Sequence, residues 1–241
     1  MLEIKDLTVD YGEEPVLNEL SLSLAPQRIH GLVGRNGEGK TTLLNSIYGT
    51  VLPQAGSIEW NARPLRTEDV AYLETELYFY PMITGREYLK IFTSKNPLFD
   101  YHRWNELFEL PLRDFISTYS TGMKKKLALL AIFALDRPFV MLDEPFNGLD
   151  IETNLLLSQI LLAFAGSGKT ILVTSHILES LTSICEEIHW LHHGHIEQSY
   201  TPANVHSLKE EILEDLNQQK LPALKQLLQD KITDEVRNVR R

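Results

Sequence analysis

Cysteine is all but missing from this sequence. Cys185 is the only one among 241 residues, so no intrachain disulfide can form, as befits a reducing compartment. A lone cysteine in a helical stretch reads as a small buried hydrophobe rather than a reactive thiol. Long apolar runs are missing too. The longest, Leu127 to Leu135, falls well short of the ~20 residues needed to cross a bilayer as a helix. The opening Met1-Leu2-Glu3-Ile4-Lys5 has neither the basic nor the apolar segment of a secretory leader. The expectation is a chain soluble by itself. Positive charge is in deficit, with 33 acidic side chains against 23 basic ones and a net charge of −10. That balance argues against a nucleic-acid partner, whose phosphates call for clustered Lys and Arg.

What is present suits one large globular domain with a small appendage: 43% of residues are hydrophobic and 23% charged, an ordinary composition. Leu2, Ile4, Val16, Leu20, Leu22 and Leu24 alternate with polar residues around a turn at Gly12, which predicts antiparallel strands. Arg28 to Val33 is a short apolar run ending at Gly34. From Thr41 the spacing turns helical, with Leu43, Leu44 and Ile47 on one face and Gly49 as the stop. A small helical insertion is expected over about 86–117, then a helix Met123–Leu135, a buried strand Phe139–Leu142, and a helix Ile151–Phe164 capped by Asp150. Strand Thr170–Thr174, helix His176–Cys185 and a strand pair around Gly194 follow. Alternating helices and wholly apolar strands imply an α/β fold with a parallel sheet covered on both faces. Beyond about Tyr200, Ser207-x-x-Glu210 reads as a capping box, and Pro222 divides Leu208, Ile212, Leu216 from a second amphipathic stretch with Leu224, Leu227, Leu228 and Ile232.

Gly34-Arg35-Asn36-Gly37-Glu38-Gly39-Lys40-Thr41 fits the G-x-x-x-x-G-K-[ST] phosphate loop, set between a strand and a helix. Its glycines let backbone N–H groups turn onto a phosphate at the helix N-terminus. Lys40 reaches the β- and γ-phosphates and the Thr41 hydroxyl ligates Mg²⁺. Ala165-Gly166-Ser167-Gly168-Lys169-Thr170 imitates the loop, but Ala163 stands where the first glycine belongs and a strand follows, so a helix end and turn are expected there. Phe139-Val140-Met141-Leu142-Asp143-Glu144 puts two acids at the carboxyl end of a strand, where α/β sheets bind ligands. Asp143 is placed to hold Mg²⁺, and Glu144 to polarise an attacking water as general base. Ser120-Thr121-Gly122-Met123 opens a helix and forms a second anion-binding arrangement. His176, just past Thr174, is placed to donate to a γ-phosphate. His189, His192, His193 and His195 are dense enough to suggest a metal, but alternation splits them between faces and no acid–histidine pattern surrounds them, so a solvated hairpin is expected. Lys124-Lys125-Lys126 reads as support for phosphate binding or a solvated face.

These segments, in order from about Leu2 to Ile196, resemble the ABC ATPase family: Gly34–Thr42 its phosphate loop, Phe139–Glu144 its acidic strand, Ser120-Thr121-Gly122-Met123 a variant of its signature, Asn147-Gly148-Leu149-Asp150 its D-loop, and Thr174-Ser175-His176 its switch histidine. The resemblance implies a P-loop core over residues 1–200, with an N-terminal antiparallel β subdomain, a helical subdomain over about 86–122, and a helical extension over 201–241. ATP and Mg²⁺ are implied. Nucleotide would be held by Gly34, Asn36, Gly37, Gly39, Lys40, Thr41 and Thr42, with Tyr11 stacked on adenine. Glu144, His176 and Lys40 would act in hydrolysis, and Ser120 and Gly122 would meet the nucleotide of a second, head-to-tail chain. The implied whole is the cytoplasmic motor of an exporter, working as a homodimer or with a related ATPase, and peripheral to the membrane through a separate transmembrane permease. A ribosome- or DNA-directed ABC protein is disfavoured by the single cassette and acidic balance, and a non-hydrolysing regulator by Glu144. One position departs from the family. Thr75 stands where a glutamine normally contacts Mg²⁺, with Glu74 and Glu76 beside it as the residues a one-position shift would promote.

Overall fold

A computed structural model describes residues 1–12, 14–94, 96–219 and 221; the amphipathic stretch after Pro222 lies outside them. The described chain forms two compact units, Met1–Ser199 and a unit beginning at Tyr200. The first contains two sheets. The smaller is antiparallel, ordered β2-β1-β4-β5, from β1 (Leu2–Asp10), β2 (Pro15–Leu24), β4 (Ala55–Trp60) and β5 (Arg63–Pro64). The larger runs β10-β9-β3-β8-β7-β6, from β3 (Ile29–Val33), β6 (Val70–Leu73), β7 (Phe139–Leu142), β8 (Thr170–Thr174), β9 (Glu187–His192) and β10 (His195–Tyr200). From β9 across to β6 its pairings are parallel, which suits the wholly buried, apolar β3, β6, β7 and β8.

Apolar faces of both sheets meet around α1 (Lys40–Tyr48). Leu2, Ile4 and Leu22 from the small sheet join Leu43, Leu44 and Ile47 of α1 and Leu32, Met141 and Leu172 of the large sheet, while the Trp60 and Phe139 rings stack 5.3 Å apart. The phosphate loop is therefore anchored at both ends in the core. The alternation in β1 and β2 is less regular than the sequence predicts. Asp6 and Glu19 take left-handed backbone angles, φ 49° and 47°, in a region where the register shifts. Their N–H groups turn to Ser21 Oγ and Thr8 Oγ1. The displaced register buries Leu17 in place of the expected Val16.

The helical segment contains α2 (Gly85–Thr93), α3 (Tyr101–Asn105) and α4 (Thr121–Ala134). Thr84 and Glu87 form a capping box at α2, and Ser120 caps α4 by accepting from Met123 N–H, so α4 starts two residues before the expected Met123. Helix α5 (Ile151–Gly166) is capped by Asp150, as expected, which accepts from Thr153 N–H at 2.7 Å. Ser167 and Gly168 then form the turn that the false phosphate loop was expected to make. Between β8 and β9, α6 is only Leu178–Thr182, shorter than the expected His176–Cys185: residues 175–177 pass through a bend before it, and the chain turns after it until the Glu186 N–H reaches the Ile29 carbonyl. Cys185 is buried against Gly31, where an added Cβ would sit 3.1 Å from its sulfur, and burial pushes its thiol well above the ordinary range. In the second unit α7 (Val205–Gln219) begins two residues ahead of Ser207, which therefore lies inside the helix and caps nothing.

The expected solvated histidine hairpin is only partly so. His193 and His195 are exposed, but His189 is 1% exposed, paired with His30 of β3 at 3.2 Å. Acids also stand beside the histidines: Glu187 near His30 and His189, and Glu38 near His192. Both were hidden from sequence reading by distance along the chain or by register. Burial holds the His30 and His189 imidazoles below their ordinary value, with Glu187 pulling His30 partly back and His30 pushing His189 further down, to about 3. Folding thus favours the neutral imidazole at both positions, whereas unfolding returns them to about 6.5. Stability is thus fully present above that value and falls as pH drops below it, by up to about 1.4 kcal/mol per pH unit per histidine. Urea unfolding at pH 7.5, 6.0 and 5.0 checks this: His189→Gln is expected to lose less stability over that interval than wild type.

Candidate functional site

Strand β3 ends at Val33, and Gly34 follows at a point where an added Cβ would sit 2.7 Å from the Leu191 carbonyl oxygen. Only glycine fits there. Gly39 caps α1 at φ 104°, and a Cβ on it would meet Leu17 Cδ2 at 2.8 Å. These two fixed points wrap the loop over the start of α1, whose unpaired N–H groups carry the positive end of the helix dipole. Lys40, 7% exposed, folds back to donate to the carbonyls of Gly34 at 2.7 Å and Arg35 at 3.1 Å. Burial lowers its ammonium, an effect opposed by Glu144, Asp143 and Glu38.

Asp143 closes β7 with its side chain 1% exposed. Thr41 Oγ1 donates to one carboxylate oxygen at 2.8 Å and Thr174 Oγ1 to the other at 2.5 Å. The backbone N–H of Glu144 donates to Thr174 Oγ1 at 2.9 Å, so one threonine orients both acids. Glu144 has φ 49°, a left-handed conformation costing a non-glycine residue roughly 1–3 kcal/mol and typically retained at functional sites. Its Oε2 lies 3.0 Å from His176 Nδ1 and accepts from Asn147 Nδ2 at 3.2 Å. Asn36, Gly37, Gly39, Lys40, Thr41, Thr42, Thr75, Asp143 and Glu144 line one cleft of about 280 Å³. Thr41 Oγ1 and the Asp143 carboxylate converge as hard oxygen donors, a pairing that fits Mg²⁺. Tyr11 is 65% exposed at the rim, its hydroxyl 3.4 Å from Thr42 Oγ1.

Thr75 lines this cleft, whereas Glu74 and Glu76 line the groove on the other side, with Tyr72, Tyr88 and Phe92. Burial raises the Tyr88 phenol to about 12, so it stays protonated beside the two glutamates of the groove well into the alkaline range. Ser120 is exposed and Gly122 partly so; neither lines the nucleotide cleft. Sequence reading missed three contributors. Thr174 was read as a strand residue. Lys125, read with its neighbours as support for phosphate binding or a solvated face, is not solvated but 5% exposed; it borders Glu144 in a recess shared with Thr75, and burial lowers its ammonium against the pull of Asp143 and Glu144. Glu38 accepts from His193 N–H and pins the loop to the β9–β10 turn. A buried polar residue at helical spacing is a signal for Lys125; nothing local marks the other two.

Thr174→Val keeps the shape of the side chain but takes the hydroxyl partner from Asp143 Oδ1 and from the Glu144 N–H, both buried, while Thr41 still donates to Asp143 Oδ2. A loss of about 2–3 kcal/mol in unfolding free energy is expected, to be measured by urea denaturation.

Residues 17–147 match the family described as ABC transporter. The ABC-type transporter ATP-binding protein EcsA of Bacillus subtilis (strain 168) is 32% identical over 238 residues, covering 90% of this chain and 94% of that protein. The Nod factor export ATP-binding protein I of Paraburkholderia xenovorans (strain LB400) is 31% identical over 205 residues, 78% of this chain and 66% of that one. A solved ATP-binding subunit of an ABC transporter superposes with a TM-score of 0.79 at 27% identity, covering 87% of this chain and 93% of the other. With a phosphate loop, an acidic strand and a histidine drawn together at one end of the same sheet, the chain belongs to the ABC transporter family as an ATP-binding, ATP-hydrolysing subunit.

Proposed function

We propose that this subunit binds Mg²⁺-ATP in the cleft between the phosphate loop and β7, and that its cycle drives a separate transmembrane permease from the cytoplasmic side, in the direction of export. The observation that carries the reading is the convergence of Lys40, Thr41, Asp143, Glu144 and Thr75 on one cleft, with His176 bonded to Glu144 at its edge. The name of the Nod factor relative supports export. No helix among the described residues is long and apolar enough to cross a membrane, which is consistent with a separate permease.

In this reading the backbone N–H groups of Gly34, Asn36, Gly37 and Gly39 and the start of α1 hold the phosphates. Lys40 exchanges its carbonyl partners for phosphate oxygens, Thr42 supports the loop, and Tyr11 offers its ring to adenine. Thr41 and Asp143 would hold Mg²⁺, with Thr75 beside them as a further oxygen donor in the cleft; when bound, the ion would supply charge neutralisation at the phosphates. Glu144 takes the proton of the water that attacks the γ-phosphorus as the bond to the β-phosphate oxygen breaks. His176 fixes the Glu144 carboxylate and faces the γ-phosphate. Ser120 and Gly122, presented by the helical subdomain over about 86–122 at the start of α4, serve the nucleotide of a second protomer, either an identical chain or a related one. Their exposure and their place outside this chain's own cleft support that assignment. The main domain over 1–200 suffices for this chemistry, with residues 201–241 as an extension.

Glu144→Gln is expected to cut Mg²⁺-dependent hydrolysis at least about 100-fold while light scattering still registers ATP-dependent dimers. Hydrolysis at the wild-type rate would remove Glu144 from the general-base role. Thr75→Gln is expected to lower the Mg²⁺ concentration for half-maximal hydrolysis; an unchanged value excludes position 75 from the metal shell.

A further inference from the structure

The buried histidine pair lies away from the nucleotide cleft. His30 stands four residues ahead of Gly34, on the order of 13 Å of strand. In the parallel pairing of β3 with β9, His30 stands opposite Glu187, and Leu32 opposite His189. A strand's period of two turns Glu187 and His189 to one face, and pairing across the ladder puts His30 on that face as well. The three side chains close a triangle. His30 Nδ1 is 3.2 Å from His189 Nε2 and 3.5 Å from Glu187 Oε2, and His189 Nε2 is 3.9 Å from Glu187 Oε2. Ligands around a tetrahedral zinc, bound at about 2.0–2.1 Å, stand roughly 3.3–3.4 Å apart. Two edges of the triangle lie close to that spacing, and the third involves the least buried member, the Glu187 carboxylate, 33% exposed.

The outward nitrogens are fixed as well. His30 Nε2 lies 3.0 Å from the Ala25 carbonyl oxygen, which can only accept, so Nε2 carries the proton and Nδ1 presents a lone pair to the triangle. His189 Nδ1 lies 2.7 Å from Ser199 Oγ. A hydroxyl donates or accepts with equal ease, so Ser199 accommodates a His189 whose proton sits on either nitrogen. Without a metal, His189 Nε2–H donates to His30 Nδ1. With one, that proton moves to Nδ1 and is donated to Ser199, leaving Nε2 free to ligate, and no proton leaves the protein. Carbonyl and hydroxyl partners behind each imidazole are the arrangement that orients metal-bound histidines. The second histidine cluster, Glu38 with His192 and His193, lacks this preparation: its carboxylate already accepts His193 N–H and the His193 ring is exposed.

We propose that His30 Nδ1, His189 Nε2 and the Glu187 carboxylate form a site for a four-coordinate divalent transition metal of the zinc class, its fourth position left to solvent on the Glu187 side. Imidazole nitrogens with a single carboxylate suit zinc or cobalt rather than magnesium or calcium, which take oxygen ligands. Bound there, the ion would join β9 to β3, the strand that leads into the phosphate loop.

The test uses the full chain, stripped with a chelator and titrated with Co²⁺ and then Zn²⁺ in the absence of nucleotide. Expected are saturation near about one equivalent, the visible absorption of four-coordinate Co²⁺, its displacement by Zn²⁺, and a rise in melting temperature with metal. Glu187→Gln, at a partly exposed position and checked for folding by circular dichroism, is expected to weaken binding at least about tenfold. His189→Gln is expected to abolish the four-coordinate spectrum, and the double variant His192→Ala/His193→Ala to leave binding unchanged. No saturable binding overturns the proposal, as does wild-type affinity in Glu187→Gln or His189→Gln, or loss of binding in the double variant.

Discussion

A carboxylate buried to 1% exposure must be compensated where it stands, and Asp143 is compensated by two threonine hydroxyls from opposite directions. Thr41 belongs to α1, Thr174 to β8, and the backbone N–H of Asp143 donates to Leu73 of β6 at 2.9 Å. One acid thus ties three neighbouring strands and the helix behind the phosphate loop at a single point. Through Thr174 the tie extends to the Glu144 N–H, and through Glu144 to His176 and Asn147. Lys40 and Lys125, both buried, offset the two acids by field rather than by a direct ion pair. Removing any one member leaves a buried donor, acceptor or charge exposed to a low-dielectric interior, so the cluster is a unit in stability as well as in placement.

Much of this was legible because phosphate chemistry imposes local rules. A turn that approaches a backbone carbonyl within contact distance needs Gly34, and a left-handed helix cap needs Gly39, so the loop announces itself. The runs of β3, β7 and β8 are readable because a parallel sheet covered on both faces is built mostly of apolar residues, with polar ones such as His30 and Thr174 kept where they find buried partners. Caps at Ser120 and Asp150 follow from side-chain oxygens placed ahead of helical spacing. What escaped reading depends on pairing between distant segments. Leu17 is buried because bulges at Asp6 and Glu19 reset a register that strict alternation cannot anticipate. His189 is buried because its neighbour is His30, 159 residues away. Lys125 sits among lysines of the same type in sequence; helical spacing turns it inward, and the packing of α4 on β6 is what buries it.

The segment after β6 has a consequence for how the two cavities communicate. Glu74, Thr75 and Glu76 face groove, cleft and groove in turn, and neighbouring Cα atoms across a planar peptide stay about 3.8 Å apart whatever else moves. Whatever seats in the groove and shifts Glu74 and Glu76 therefore cannot leave Thr75 where it was. The two cavities are thus joined through adjacent residues of one short backbone segment rather than through a layer of intervening side chains. A glutamine at position 75 would carry its polar end two bonds further into the cleft than the threonine hydroxyl does, so the same displacement would be read deeper.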